Sequence, residues 1–383
     1  MEQNSRMVGE KRMKERETHR LIQEAIPFLL QWYDYNRRIL PWREEPTPYR
    51  VWVSEIMLQQ TRVEAVRGYY DRFLSRLPGI RELAQVPEEE LLKLWEGLGY
   101  YNRVRNMQKA AKLIVEQYGG EMPSDYRKIR ELPGIGDYTA GAISSIAFGL
   151  PYPAIDGNVL RVMSRITCDT SDISKEATKK YWRETLLELM PERCGDFNQS
   201  LMELGAMVCL PNGKPLCEQC PVMQLCRAFQ EDKELTLPVK AEKKERRIEK
   251  RNVYIFRQNG KELLHRRPKK GLLAGLWEYP NCLISAENLP EEFLPGGSKR
   301  IIKREMKKAK HIFSHVEWHM DGYFIEAEPL NQREEEQIIQ EMMRLTETES
   351  NREDWVFANQ EERTQEYPIP AAFEKFKRKG ETE

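Results

Sequence analysis

The chain carries no surplus of either charge. Its 61 Lys and Arg residues face 61 Asp and Glu residues across 383 positions. A strongly basic total, the usual footprint of a phosphate-binding protein, is therefore missing, although a local basic face is compatible with a neutral sum. Basic residues gather at Lys11–Arg20 and Lys240–Arg251, but acidic neighbours interrupt both runs, and they read as solvated faces. Long apolar runs are absent as well. No stretch approaches the roughly 20 residues that cross a bilayer as a helix, which excludes a membrane-spanning helix. Met1 to Arg20 is charged and lacks a secretory apolar core, so a reducing, cytoplasmic location with no membrane partner is expected. There is no internal repeat, and no strand hairpin is evident in the first half.

The cysteines are unevenly spread. Of seven, four fall in one window as Cys209, Cys217, Cys220 and Cys226, while Cys168, Cys194 and Cys282 are scattered. Disulfides are disfavoured in a reducing compartment, so metal binding is the leading use for the four. Zinc ribbons and fingers usually bring two separate ligand pairs. Here one tight loop with a single CxxC pair delivers four thiolates, which suits a [4Fe–4S] cubane. On spacing alone, zinc and free thiols stay open as alternatives.

The length suits two domains better than one core. Apolar residues recur at helical spacing in Leu21–Trp32, Val51–Phe73, Leu91–Leu98, Val104–Tyr118 and Tyr181–Met190, with Pro and Gly punctuation between them. Residues 1–230 are therefore expected to be a mostly α domain, and the charged stretch 231–250 a linker. Residues 251–375 have a different texture. Val253–Phe256 and Glu262–Leu264 read as strands joined at Gln258-Asn259-Gly260, Tyr323–Ile325 as another strand, and Gln332–Leu345 as a helix, giving an α+β domain.

Three further features carry chemistry. Leu132-Pro133-Gly134-Ile135-Gly136 forces a tight reversal before a helix opening at Asp137-Tyr138, leaving backbone N–H groups uncovered for a phosphate oxygen. Glu55 sits in Val51–Leu58, apolar around most of its helical circumference. Such burial raises a carboxyl pKa and makes a general acid at neutral pH; pairing with Arg50 or Arg62 is the alternative. Asp156 precedes a helix at Gly157-Asn158-Val159, where it serves as an N-cap, as an anion facing a developing positive charge, or both. Glycosidic cleavage needs this combination of an acid and an anion.

The assembled strings resemble the MutY family of adenine glycosylases. They are Pro41-Trp42-Arg43, Ser54-Glu55-Ile56-Met57-Leu58-Gln59-Gln60-Thr61, Gly97-Leu98-Gly99-Tyr100-Tyr101, the Pro-Gly hairpin, Asp156-Gly157-Asn158-Val159 and the cysteine loop. They occur in the family's order, densely over residues 25–230; the first cysteine gap is one residue longer than usual, which a loop absorbs. The resemblance implies a helix-hairpin-helix glycosylase fold with an iron–sulfur loop, a C-terminal MutT-like domain and a [4Fe–4S] cofactor on Cys209, Cys217, Cys220 and Cys226. It implies duplex DNA with adenine opposite 8-oxoguanine or guanine as partner, a monomer, and nucleoid association if the source is bacterial. Catalytic roles fall on Glu55, Asp156, Tyr138 and Asn158, and a base pocket on Trp42, Arg43, Leu58 and Val63. Gln60, Thr61, Leu98, Tyr100, Gly134, Gly136, Phe313, Ser314 and His315 would meet DNA or the lesion. Arg266-Arg267-Pro268, Gly271–Glu278 and His311–His315 resemble the MutT-like domain's loops. The Glu-rich metal motif of nucleotide hydrolases is missing, so a lesion reader without catalysis is implied. Lyase relatives hold a Schiff-base Lys where this chain has Tyr138, which implies a monofunctional enzyme. The competing readings are an endonuclease III-like glycosylase/lyase for oxidised pyrimidines and a non-catalytic iron–sulfur DNA-binding module.

Overall fold

Apolar residues at helical spacing do become helices, but the chain interrupts them where side chains must be aimed. The computed structural model describes residues 2–241, 245–284, 301–346 and 351–376. Two compact units emerge: Met1–Gln85 with Asn106–Glu242, and Val86–Arg105 with Lys243–Glu383.

The first unit is helical. It opens with α1 (Glu2–Asn36), α2 (Pro41–Glu44), α3 (Pro48–Leu58), α4 (Val63–Arg76) and α5 (Ile80–Gln85). The chain then leaves for the second unit through α6 (Glu88–Leu94) and returns along α7 (Asn102–Tyr118). After it come α8 (Tyr126–Glu131), α9 (Asp137–Ala142), a π-helical turn at Ile143–Ala147, α10 (Gly157–Ile166), α11 (Glu176–Glu188), α12 (Cys194–Met207) and the short α13 (Arg227–Gln230). Leu29, Val159, Trp182, Phe197 and Leu201 from α1, α10, α11 and α12 share one buried core.

Two expected helices are shorter than their apolar pattern. Val51–Phe73 is split into α3 and α4 because Gln60 turns left-handed, at φ 59°. A non-glycine residue pays roughly 1–2 kcal/mol for that conformation. The helix expected over Leu91–Leu98 stops at Leu94, and Gly97 and Gly99 both take positive φ. Pro48 at the first turn and Thr47, whose side chain accepts from Arg50 N, start α3. Every residue from Val51 to Met57 is then buried.

The second unit is built on a mixed sheet. β1 (Arg247–Gln258) runs parallel to β7 (Val316–Ala327) over its whole length and antiparallel to β2 (Lys261–Arg266). β3 (Trp277–Glu278), β4 (Asn281–Leu283), β5 (Ile301–Glu305), β6 (Ala309–Ile312) and β8 (Trp355–Ala358) complete it. The Asn259-Gly260 hairpin has both residues at positive φ, 46° and 73°, as a type I′ turn requires. β1 begins at Arg247, within the stretch expected to link the domains. Val253 and Ile255 face a core closed by Phe373 and Phe376. Tyr254 and Phe256 face the other side, covered by Ile338, Ile339 and Met342 of α14 (Gln332–Thr346). Both faces being covered explains the unbroken apolar run. α15 (Gln360–Gln365) and a final turn at Ala371–Phe376 follow.

Residues 86–105 are bolted into this unit. Lys93 Nζ donates to the carbonyls of Arg363 (3.0 Å) and Tyr367 (3.1 Å), Glu96 accepts from Ile369 N (3.2 Å), and Arg105 donates to Ala274 O (2.7 Å).

In the first unit, Gly141 of α9 lies against the segment that leads to Asp156. A Cβ there would stand 2.2 Å from Pro153 O and 2.9 Å from Pro153 C, both backbone atoms. Gly141→Ala is expected to destabilise the unit by about 1–3 kcal/mol through overpacking, read as a lower urea midpoint for the helical signal.

Candidate active site

The left-handed Gln60 turn, the buried helix α3, the N-terminus of α10 and one face of α12 meet around a cavity of about 580 Å3 in the first unit. Trp42, Arg43, Leu58 and Val63 line it, as do Glu55, Tyr138, Asp156, Asn158, Gln60 and Thr61. Ten residues singled out in the sequence, from four separate stretches, thus share one pocket. Its size suits a small planar ligand.

Glu55 is buried and its carboxyl pKa is pushed up to about 7. Burial is the main cause; the Tyr138 hydroxyl and the Arg43 charge pull it back, while the nearby Asp156 pushes it further up. Tyr138, two residues beyond the Pro-Gly hairpin, donates its hydroxyl to Glu55 Oε2. Its own pKa is raised well above normal by burial and by Glu55, so it remains a donor. Arg50 does not reach Glu55; it pairs with Glu45.

Asp156 is the N-cap that its position allowed. It caps α10, with Oδ1 accepting from Asn158 N (2.9 Å) and Val159 N (2.8 Å), and Oδ2 accepting from Asn158 Nδ2 (2.7 Å). Burial raises its pKa, whereas these three donors and Arg161 favour the anion. Two carboxyls with different surroundings therefore share one pocket, and Glu55, the one further from solvent and from donors, keeps its proton to about neutral pH. Asn158 is held in turn by Arg161, which donates to Asn158 Oδ1 (2.9 Å), Gly205 O (2.8 Å) and Cys209 O (2.8 Å).

Cys209, Cys217, Cys220 and Cys226 ring a small cavity beside α10, together with Arg165 and Val162. All four are free thiols, and Arg165 Nη1 lies 3.2 Å from Cys209 Sγ. Among the described residues no group of three or more His, Cys, Asp or Glu side chains is arranged to hold a single ion. The four cysteines line one common cavity. Burial pushes Cys220 up to about 12 and Cys226 up to about 11, and the neighbouring cysteines add to both. Thiols of this kind become thiolates only on cations. The donor set and its enclosure fit an iron–sulfur cluster.

The hairpin has Gly134 at φ 78° and Gly136 extended as the N-cap of α9. Arg183 (3.0 Å), Tyr126 (3.2 Å) and Arg130 converge on Asp137 just beyond it. The remaining residues do not join this pocket. Leu98, Tyr100, Phe313, Ser314 and His315 line a cavity of about 750 Å3 within the second unit. Leu98 is buried there and Tyr100 is half exposed, with its hydroxyl 3.0 Å from Ser314 Oγ. Phe313 turns its ring toward Trp318, 4.9 Å between centroids.

Sequence reasoning missed Arg38 and Glu203. Glu203 on α12 is 1% exposed and receives Arg38 (2.8 Å twice) and Arg43 (3.0 and 3.2 Å). Burial alone would raise its pKa, but the two guanidiniums hold it down at about 2. A lone acid in the apolar run Leu201-Met202-Glu203-Leu204 carried the same signal as Glu55. Glu203→Ala strands two half-buried cations and is expected to cost about 3–5 kcal/mol. A folded pKa below the normal value of 4.5 stabilises above that pH and is lost as pH falls toward 2. The difference between Glu203→Ala and the parent in urea unfolding should therefore be full at pH 7 and shrink below pH 4.

Residues 53–190 match the HhH-GPD superfamily base excision DNA repair protein, and residues 252–379 match the NUDIX domain. An adenine DNA glycosylase of Arabidopsis thaliana is 37% identical, over 75% of this chain and 55% of the relative. That of Mus musculus is 37% identical, over 75% of this chain and 68% of the relative. The chain thus spans little more than half the length of the Arabidopsis protein. Among solved structures, a thermostable thymine-DNA glycosylase overlays with a TM-score of 0.50 at 28% identity, covering 56% of this chain and 98% of that one. A helix-hairpin-helix glycosylase domain with this pocket, followed by a NUDIX domain, places the chain in the adenine DNA glycosylase family.

Proposed function

We propose that this chain hydrolyses the N-glycosidic bond of adenine mispaired with 8-oxoguanine, or with guanine, in duplex DNA. The observation that carries the reading is Glu55: a buried carboxyl with pKa about 7, facing a capped Asp156 across a base-sized pocket.

The target atoms lie inside the duplex, so the adenine must swing out, at a cost of a few kcal/mol that is least at a mispair. Trp42, Arg43, Leu58 and Val63 would enclose it. Glu55 donates its proton to N7 of adenine. The C1′–N9 bond then breaks, with its electron pair leaving on the base. Asp156 faces the oxocarbenium ion so formed. Tyr138 and Asn158 orient the two carboxyls through the bonds already described. Water adds to C1′ and gives up one proton to the Asp156 carboxylate, leaving an abasic site. Among the described residues no lysine lines the pocket, which supports a monofunctional hydrolase over a Schiff-base lyase. The Gly134–Gly136 hairpin would take a phosphate, and Gln60, Thr61, Leu98 and Tyr100 would occupy or brace the vacated stack. Ser314, with Phe313 and His315, would read the opposite base. Cys209, Cys217, Cys220 and Cys226 would hold a [4Fe–4S] cluster, which when bound supplies iron–thiolate bonds that fix the loop.

A duplex with one adenine opposite 8-oxoguanine, incubated with the protein and then treated with alkali, should break at the adenine, while an A·T control stays intact. An iron-loaded protein that binds the duplex and leaves it uncut would refute the reading. Glu55→Gln and Asp156→Asn should each retain binding and lose base release by ~10²–10⁴-fold. The acid must be protonated to act, so the single-turnover rate of the parent should fall as pH rises through about 7, roughly tenfold per unit above it. A rate that is flat from pH 6 to 9 would remove Glu55 from the role.

A further inference from the structure

The loop between α6 and α7 is an improbable piece of backbone. Gly97 (φ 95°), Gly99 (φ 69°) and Tyr100 (φ 49°) are all left-handed, and Tyr100 takes that conformation without glycine's freedom. Such a shape persists only where its surroundings over-determine it. One side chain reaches most of the loop. Arg103 Nη2 donates to the carbonyls of both Leu98 and Gly99, each at 3.1 Å. Its guanidinium lies over the Trp95 ring at 5.5 Å and the Tyr100 ring at 5.3 Å. Trp95, fully buried, donates Nε1 to the same Gly99 carbonyl at 3.0 Å. Burial lowers the Arg103 pKa to about 10, so it stays cationic at neutral pH. One terminal nitrogen bonds both carbonyls while the flat guanidinium lies over two rings, and the ring contact is what lysine's compact ammonium does not reproduce.

We infer that Arg103 is a positioning residue: it clamps the Leu98-Gly99-Tyr100 loop in the shape that presents Tyr100, over the buried Leu98, to a DNA stack, without itself touching the reacting atoms. The inference rests on the proposed reaction only for what the loop does, not for what holds it.

Two measurements separate these parts. The first needs no DNA. Hydrogen exchange at the amides of residues 98–101 should accelerate in Arg103→Ala, with the amides of α3 and α10 unchanged; exchange at parental rates would overturn the clamp whatever the reaction proves to be. The second reads the consequence. Arg103→Ala should slow single-turnover base release from adenine opposite 8-oxoguanine by about 10–100-fold. On a duplex whose adenine faces an abasic position, where little stacking must be replaced, the loss should shrink to about twofold. Equal slowing on both duplexes would refute the assignment to the loop. Arg103→Lys, which keeps charge but not the fork, should fall between. If Arg103→Ala fails to fold, Arg103→Met keeps the stem against the rings and carries the same comparisons. A parent protein that releases no adenine from either duplex would sink the proposed reaction and leave the exchange result to decide the clamp.

Discussion

Keeping one carboxyl group away from water is the condition on which the pocket rests. Every residue from Val51 to Met57 is buried, so Glu55 has no hydration shell to stabilise its anion. The cationic surroundings would undo that advantage if they were free to act. Arg43 lowers the Glu55 pKa a little, but its guanidinium, with that of Arg38, is turned onto Glu203. A second buried acid, ionised at nearly any pH, thus spends the local positive charge so that the first can stay neutral. The tyrosine between them and the hairpin completes the arrangement by offering Glu55 a donor and no proton acceptor of its own.

The same economy of bonds joins the pocket to the cysteine loop. Asp156 takes three hydrogen bonds from its own helix start, Asn158 supplies two of them, Arg161 holds Asn158, and Arg161 reaches the Cys209 carbonyl. No metal bond enters this chain. It nonetheless makes the orientation of Asp156 depend on where the loop backbone lies, because each link is short, directional and shielded from solvent.

Much of this was legible in the residues. Glu55 announced itself as an acid in an apolar helix, Asp156 as a cap, and the four cysteines as one group, because each departs locally from what its surroundings favour. The Asn259-Gly260 hairpin was equally plain, since its turn type demands those residues. What escaped was non-local. Glu203 and Arg38 are separated by 165 positions, and no local pattern pairs them. Helix periodicity across Val51–Phe73 also concealed the break at Gln60, since the apolar spacing on either side is compatible with one helix and only tertiary demand on Gln60 and Thr61 separates them. The allegiance of residues 86–105 to the second unit left no trace in composition at all.

That allegiance bears on how the chain is made. Synthesis proceeds from the N-terminus, and a nascent chain that has emerged as far as residue 242 holds every residue of the first unit. Its α6 excursion, however, still lacks Arg363 and Tyr367, whose carbonyls accept from Lys93, and Ile369, whose N–H donates to Glu96. The residues of the first unit are therefore available before the partners of its inserted segment. Between those two moments the segment that carries the Leu98–Tyr100 loop is joined at both ends but lacks the bonds that Lys93 and Glu96 make to residues 363–369.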